Sequence, residues 1–252
     1  MIDFTPLMRL GFLLVRPSLL IGMAPAFGGA FAPARVKVGL IVLVAIGLVP
    51  TAIVQPSVEA LPIAIVVARE AAIGFALALA MRALVGGAEF GGQLIGFQMG
   101  LSYGATVDPM SGVRNPVLAV LYSNIAIVTF FMINGHHAFL RALHRSYRDL
   151  PIGAGHISTS LPVDVARLLG VVFSLAARLA SPVIVVLVLV EAGLALLARS
   201  APMLNPMAIG NPLRLLLGLV MLGIIAPAVV GLVAGNLTSI VDLALQTAAA
   251  FR

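Results

Sequence analysis

The residues of this chain that could do chemistry are acidic and histidine side chains set inside or beside long apolar stretches. Glu70 and Glu191 each lie within an apolar run. A carboxylate in that setting serves either as a proton relay or as a buried contact that holds helices together. The pair His136-His137 adds two imidazoles that could bind a metal or move protons. We predict that both glutamates make buried structural or assembly contacts.

The spacing of these groups does not match a catalytic or metal-binding motif. The histidine segment lacks the HExxH pattern, and no carboxylate is placed to complete a metal site. Asp108, the histidine pair and Glu191 also lack a recognisable arrangement of nucleophile and base. The chain has no cysteine, which excludes thiolate metal sites, disulfides and cysteine nucleophiles. We predict a protein without enzymatic activity, cofactor or metal, with an intramembrane enzyme as the alternative.

The composition is that of a helical membrane protein. Of 252 residues, 61% are hydrophobic and 10% are charged, and the mean hydropathy is +1.15. Soluble domains carry roughly 25% charged residues. Several apolar windows reach the roughly 20 residues that cross a bilayer as a helix. They are Leu7–Phe31, Val38–Val54, Leu61–Val85, Val117–Asn134, Leu168–Ala198 and Leu213–Ala234, and the last helix is predicted to resume after Gly235 and run toward Ala250.

The net charge of +6 does not indicate a nucleic-acid partner. The basic residues are scattered without a run of neighbours, and aromatic residues make up 6% of the chain. A basic patch and a stacking platform are therefore both missing from the sequence. Several charges lie inside apolar windows, where each costs about 2.5–3.5 kcal/mol if it faces lipid. These charges are expected to face protein, water or each other, with Arg9 and Arg82 near helix ends: Arg9, Arg16, Arg69, Glu70, Arg82, Arg178 and Glu191.

A glycine-rich segment, Gly86–Pro116, stands between two long apolar runs. Its glycines recur every four residues, at Gly92, Gly96, Gly100 and Gly104. On a helix they form a strip without side chains, which predicts close approach of another backbone. The part up to Tyr103 is a further helix, a re-entrant helix or a continuation of the preceding one. Asp108-Pro109 and Asn115-Pro116 end the segment.

The segment after Asn134-Gly135 is amphipathic. One face carries Leu140, Leu143, Tyr147 and Leu150, and the other carries His137, Arg141, His144, Arg145 and Arg148. This pattern predicts a helix at a membrane interface or against an acidic partner surface. The histidines are expected to be structural.

Proline positions predict bent helical hairpins. Three Asn-Pro pairs, Asn115-Pro116, Asn205-Pro206 and Asn211-Pro212, can each restart a helix after a loop, because Asn caps a helix and Pro suits its first turn. Prolines inside the apolar windows predict kinked or split helices. They are Pro17, Pro25, Pro182 and Pro227.

Taken in order, these motifs resemble the FliR family of export-gate subunits of the flagellar type III secretion system. The motifs are Glu70-x3-Gly74, Gln93-Leu-Ile-Gly96-Phe-Gln98-Met-Gly100-Leu-Ser102, Val107-Asp108-Pro109, Asn134-Gly135-His136-His137, Ser146 with Leu150-Pro151-Ile152-Gly153, Glu191-Ala-Gly193, Arg199-Ser-Ala-Pro202, Asn205–Pro212 and Gly218-Leu219. Each motif alone is weak, but their order and spacing are specific, and the resemblance covers nearly the whole chain. Injectisome relatives form the SctT branch of the same family.

The resemblance implies one FliR-like domain over residues 1–252, an all-α membrane protein of kinked helical hairpins within a helical ring. FliP-like and FliQ-like subunits would complete the ring, with FlhB-like and FlhA-like export components nearby. Unfolded flagellar proteins would pass through it, in the bacterial inner membrane at the flagellar basal body.

The resemblance also implies roles for particular residues. The pore plug would comprise Tyr103, Gly104, Asp108, Pro109, Met110, Ser111, Gly112 and Asn115. Helix packing would use Gly92, Gly96 and Gly100. Buried polar or assembly contacts would involve Glu70, Gln93, Gln98, Glu191, Asn205 and Pro212.

Besides the intramembrane enzyme, two alternatives to a flagellar export gate are open at this point. The first is service in an injectisome, as in the SctT branch. The second is a secondary transporter, which also uses broken helices and intramembrane charges. The sequence shows no convincing internal repeat of matched half-helices, which counts against a transporter.

Overall fold

A computed structural model of the chain describes residues 5–25, 33–51, 62–101, 117–154, 161–200 and 206–251. Within these ranges the chain forms seven long helices. They are α1 Thr5–Met23, α2 Ala34–Leu48, α3 Ile63–Gln98, α4 Val117–Met132, α5 Gly135–Asp149, α6 Leu161–Ser200 and α7 Pro206–Ala249. The prediction of an all-α fold is confirmed.

Three of the described helices are long and apolar enough to cross a membrane. They are α3, the Pro162–Ser200 part of α6 and the Ala208–Ala249 part of α7. A fourth candidate is the pair α4 and α5, whose axes differ by 69° across a short break. The predicted class, a polytopic helical membrane protein, is therefore confirmed.

Helices α3, α6 and α7 are longer and more continuous than the sequence suggested. Of the three alternatives for the glycine-rich segment, the continuation is correct, because α3 runs unbroken through Gly86. Of the two alternatives at Pro182, a kink or a split, the split is wrong, and so are the restart at Asn211-Pro212 and the resumption after Gly235. A kink at Pro182 stays a prediction. A proline removes one helical hydrogen bond and costs about 3 kcal/mol. A loop among apolar residues would leave several backbone groups unpaired, which costs more.

The chain divides into two compact units. The first takes its residues from Met1–Ala83, Phe130–Gly170 and Asn236–Arg252, and the second from Leu84–Thr129 and Val171–Gly235. The core of the first unit includes Leu20, Ile73, Leu77, Phe139 and Tyr147, and that of the second includes Leu84, Ile95, Tyr122, Leu179 and Leu187. A single FliR-like domain over residues 1–252 stays a prediction.

Helix α3 ends at a glycine in the left-handed conformation. Gly100 has φ 79°, and its N–H donates to Phe97 O at 3.1 Å. The N–H of Leu101 donates to Gly96 O at 3.0 Å. This pair of bonds is a Schellman motif, which favours glycine because other residues are strained at positive φ. The prediction that Gly100 continues a helical packing row is therefore wrong: it ends the helix. Gly104 lies outside the described residues.

The glycines of α3 contact neighbouring helices in the second unit. A Cβ atom on Gly92 would lie 2.5 Å from Leu118 O and 3.1 Å from the Cα of Ala119, both on α4. A Cβ on Gly91 would lie 3.3 Å from Ala176 O on α6. Gly96 is less crowded, 3.9 Å from the Leu118 side chain. The close approach of backbones, as in small-residue packing of membrane helices, centres on Gly91 and Gly92.

We predict that Gly92→Ala destabilises the protein, because the new methyl group meets the backbone of α4 and the two helices must separate. Overpacking of this kind costs about 1–3 kcal/mol. The measurement is thermal unfolding of the purified protein in detergent. Gly86→Ala is the matched control on the same helix, because no atom of another helix lies within 4 Å of its Cβ position. Equal melting temperatures for the two variants would contradict the packing assigned to Gly92.

Candidate functional site

The most developed polar site is an ion pair sealed inside the first unit. Arg16 of α1 and Glu70 of α3 both have side chains with 0% exposure. The Arg16 Nε donates to Glu70 Oε2 at 2.6 Å, and Nη2 donates to Oε1 at 3.2 Å. This fork-to-fork arrangement is the strongest geometry available to an arginine and a carboxylate. It locks α1 onto α3.

The remaining donors of Arg16 bind the C-terminal end of α5. Nη1 donates to the carbonyl of Ser146 at 2.8 Å and to its hydroxyl at 3.2 Å, and Nη2 donates to Leu150 O at 2.9 Å. All five N–H donors of the guanidinium are thus used. A cation at this position also complements the partial negative charge at a helix C-terminus. Arg16 therefore joins three helices.

A glycine and a tyrosine make room for this arginine and hold it in place. A Cβ on Gly74 would lie 2.9 Å from the Cα of Arg16, so α1 and α3 touch backbone to backbone there. The guanidinium lies 4.3 Å from the ring centroid of Tyr147. The hydroxyl of Tyr147 donates to Leu13 O at 2.9 Å. Tyr147 therefore contacts the guanidinium with its ring and connects α5 to α1 with its hydroxyl.

The glutamate of this pair is fully engaged as well. Besides the two bonds from Arg16, its Oε1 accepts from the N–H of Gly153 at 3.4 Å. The neighbouring Arg69 does not contact Glu70 but donates from its Nη1 to the carbonyl of the same Gly153 at 3.5 Å. Each ion moved out of water loses several kcal/mol of solvation, which the partner and extra hydrogen bonds must offset. This arrangement favours a structural contact for Glu70 over a proton relay.

A second polar cluster lies in the second unit, on three apolar helices. The amide of Gln98 donates to Glu191 Oε1 at 3.2 Å. The Nε of Arg214 lies 3.3 Å from the same oxygen, as an ion pair whose angle does not make a hydrogen bond. The side chains of Arg214 and Glu191 are 28% and 34% exposed. Partial exposure makes this pair weaker than the sealed one.

The other residues predicted to form the site are more dispersed. Gln93 is half-buried on α3, and Pro212 is exposed within α7. Asn205 and the predicted plug, Tyr103, Gly104, Asp108, Pro109, Met110, Ser111, Gly112 and Asn115, lie outside the described residues. The rings of His136 and His137 are 4.1 Å apart. In the part of the chain that the structure describes, no cluster of three or more metal-ligating side chains occurs.

Sequence reasoning left out the residues that complete the sealed ion pair. Arg16 was expected to face protein, water or another charge, but its partner was not identified. Ser146, although part of the family resemblance, and Tyr147 were not assigned to the site. A signal was available in Glu70 and Gly74, which lie four residues apart and so share one face of α3. The glycine lets a second helix approach closely, and the carboxylate on the same face predicts that this helix carries a basic side chain.

The chain is thus a helical membrane protein. Its long apolar helices are held together by close contacts at glycines and by buried polar pairs. More particularly, the chain belongs to the family described as bacterial export proteins, family 1, which matches residues 7–249. The predicted membership of the FliR family is confirmed by this match and by similar proteins with that name.

Two flagellar biosynthetic proteins FliR cover most of the chain. The protein of Escherichia coli strain K12 is 31% identical over 217 residues, which is 86% of this chain and 83% of the relative. That of Bacillus subtilis strain 168 is 27% identical over 243 residues, or 95% and 93% of the two chains. The surface presentation of antigens protein SpaR of Shigella sonnei is 30% identical over 129 residues, or 51% and 49%.

We predict that Arg16→Met and Glu70→Gln each destabilise the protein, and that the double variant loses less stability than the two single changes added together. Removing one partner leaves a buried charge unpaired, which costs about 3–5 kcal/mol. Chemical unfolding in detergent measures the three free energies. Arg9→Met, on an exposed arginine of the same helix, is the control. If Arg16→Met were as stable as Arg9→Met, the ion pair would not hold these helices together.

Proposed function

We propose that this chain is a membrane-embedded subunit of the flagellar type III export gate, through which unfolded flagellar proteins leave the cytoplasm. The observation that carries the proposal is membership of the bacterial export family over residues 7–249. FliR proteins that align over most of their own length support the flagellar system. The gate would lie in the bacterial inner membrane, at the base of the flagellum.

The described structure supports a role in assembly rather than in catalysis. Its polar residues complete contacts between helices, as Arg16 does for α1, α3 and α5. In the most apolar window of α6 and in that of α7, only 22% of the residues are buried. Large exposed apolar side chains occur along both helices, among them Leu189, Leu196, Leu216 and Val220.

We assign these uncovered apolar faces to neighbouring subunits as well as to lipid. FliP-like and FliQ-like chains would complete a closed ring with this one, and FlhB-like and FlhA-like components would lie close to it. In this ring the chain acts as a channel wall and carries out no reaction of its own. Gln93, Gln98, Glu191, Asn205 and Pro212 are proposed to contribute to contacts within or between subunits.

The pore plug is proposed for Tyr103–Asn115, the segment that follows α3. Its Gly and Pro content suits a compact loop that can change position. The helix leading to it ends sharply at Gly100, and Gln98 in the last turn is bound to Glu191. A fixed helix end directly before the proposed plug supplies the anchor that a plug requires.

An injectisome export gate is the second candidate. SpaR proteins of Shigella support it, but they align with about half of the chain. The FliR relatives align with 83% and 93% of their own lengths. The longer alignments favour the flagellar system.

We predict that deleting the gene abolishes swimming and the secretion of flagellar filament protein, and that an affinity-tagged copy restores both. The tagged chain should co-purify with FliP-like and FliQ-like proteins, because a lone chain leaves the apolar faces of α6 and α7 without protein partners. Mass spectrometry of the purified membrane complex identifies the partners. A deletion strain that still swims, or a stable monomer without partners from motile cells, would overturn the proposal.

We predict that removing residues 108–112 leaves the complex assembled but makes the membrane leaky. If the loop is a plug, it stabilises the closed channel relative to the open one, and its loss raises the conductance to ions. The measurement is membrane conductance of cells shown to contain the intact complex with the deletion. Wild-type tightness in such cells would rule out the plug. Failure to recover any complex would instead assign Asp108 to bracing the ring.

A further inference from the structure

The outward face of α5 carries a stripe of positive charge that the export role does not explain. Arg141, Arg145 and Arg148 are exposed, and their spacing of four and three residues places them on one side of the helix. They extend over about 10 Å of the helix axis, given a rise of about 1.5 Å per residue. His137 and His144 are exposed beside them. We call these five residues the basic stripe.

A single carboxylate on α5 opposes this charge. Asp149 lies 3.3 Å from the Nε of Arg145, and the two side chains are 52% and 65% exposed. An exposed pair of this kind holds its partners only weakly. Three guanidinium groups against one carboxylate leave the stripe positive even when both histidines are neutral.

The rest of α5 is fixed so that the basic stripe must face outward. The opposite side of the helix is held by the hydrogen bond from Tyr147 to Leu13 O and by the bonds from Arg16 to Ser146. Phe139 packs at 6.0 Å from the ring of Phe130. Turning the stripe inward would break all of these contacts.

The position of α5 in the chain places the basic stripe beside apolar surface. The apolar helix α4 ends at Met132. Asn134, directly before α5, has a φ of 57°, and the axes of the two helices differ by 69°. Met132 and Leu140 flank the stripe with exposures of 77% and 36%. Basic and apolar side chains side by side are typical of helices at a lipid interface.

We propose that the basic stripe of α5 binds the phosphate groups of anionic phospholipids. The guanidinium groups bind the phosphates, and Met132 and Leu140 contact the acyl chains next to them. An acidic protein surface would match the charge but would leave these two apolar side chains without a partner. The inference does not depend on the export function.

The test uses the full chain, with whatever proteins co-purify, in nanodiscs of phosphatidylglycerol and phosphatidylcholine in equal amounts. After exchange into detergent, mass spectrometry measures the ratio of the two lipids that stay bound. The wild type should retain phosphatidylglycerol in preference. An arginine near an anionic surface changes binding by roughly fivefold, so Arg141→Gln, Arg145→Gln and Arg148→Gln combined should reduce the preference at least tenfold.

Three further variants separate the stripe from net charge and from folding. Arg35→Gln, Arg178→Gln and Arg199→Gln combined remove the same charge from exposed positions on other helices, and the lipid preference should persist. Replacing the three stripe arginines by lysine should preserve most of it, because the positive charge is retained. Asp149→Asn should increase it, because Arg145 loses its competing carboxylate; this variant removes no contact of the buried face.

Two results would overturn the proposal. The first is a preference for phosphatidylglycerol that is unchanged in both the glutamine triple variant and Asp149→Asn. The second is the loss of a co-purifying acidic protein from the glutamine variant while the lipid ratio stays at the wild-type value. That second result would assign the stripe to a protein surface.

Discussion

The buried charge of Arg16 is the constraint on which the first unit depends. A guanidinium enclosed among apolar helices must satisfy all of its donors, because each one left open costs free energy that water cannot recover. Its five N–H groups reach a carboxylate on α3, and two backbone carbonyls and the Ser146 hydroxyl at the end of α5. The positions of α1, α3 and α5 are therefore coupled: none of the three can shift without leaving part of the cation unpaired.

Glycine and charge have complementary roles in this arrangement. In a lipid environment, apolar side chains gain little by leaving lipid for a neighbouring helix, so close backbone packing and polar pairs must supply the attraction. Gly74 lets the backbone of α1 touch α3, and Glu70, one turn earlier, makes that contact specific for Arg16. In the second unit, Gly91 and Gly92 bring α3 to α6 and α4 in the same way.

Much of the fold followed from composition and hydrophobic pattern, because a membrane helix must satisfy its own backbone hydrogen bonds and so has few alternatives. The family resemblance gave the biological setting. The helix ends were harder to predict, since proline and Asn-Pro signals calibrated on soluble proteins suggested breaks at Pro182 and Pro212 that the chain does not have. The four-residue spacing suggested that Gly100 belonged to a row of packing glycines on a helix. It lies instead at the C-terminal end of α3. The partner of Arg16 could not be predicted from one sequence, because Glu70 and Ser146 lie 54 and 130 residues away.

Buried and exposed polar residues have different roles in this chain. Arg16 and Glu70 are fully buried within one unit, with all five donors of the arginine and both oxygens of the glutamate hydrogen-bonded. They are inaccessible to a partner and stabilise the chain itself. The half-exposed Glu191 and Arg214 and the exposed arginines of α5 retain unused charge or access. The apolar faces of α6 and α7 are similarly uncovered. The described helices thus combine a sealed ion pair with uncovered outer surfaces. Those outer surfaces are where substitutions should alter assembly without unfolding the chain.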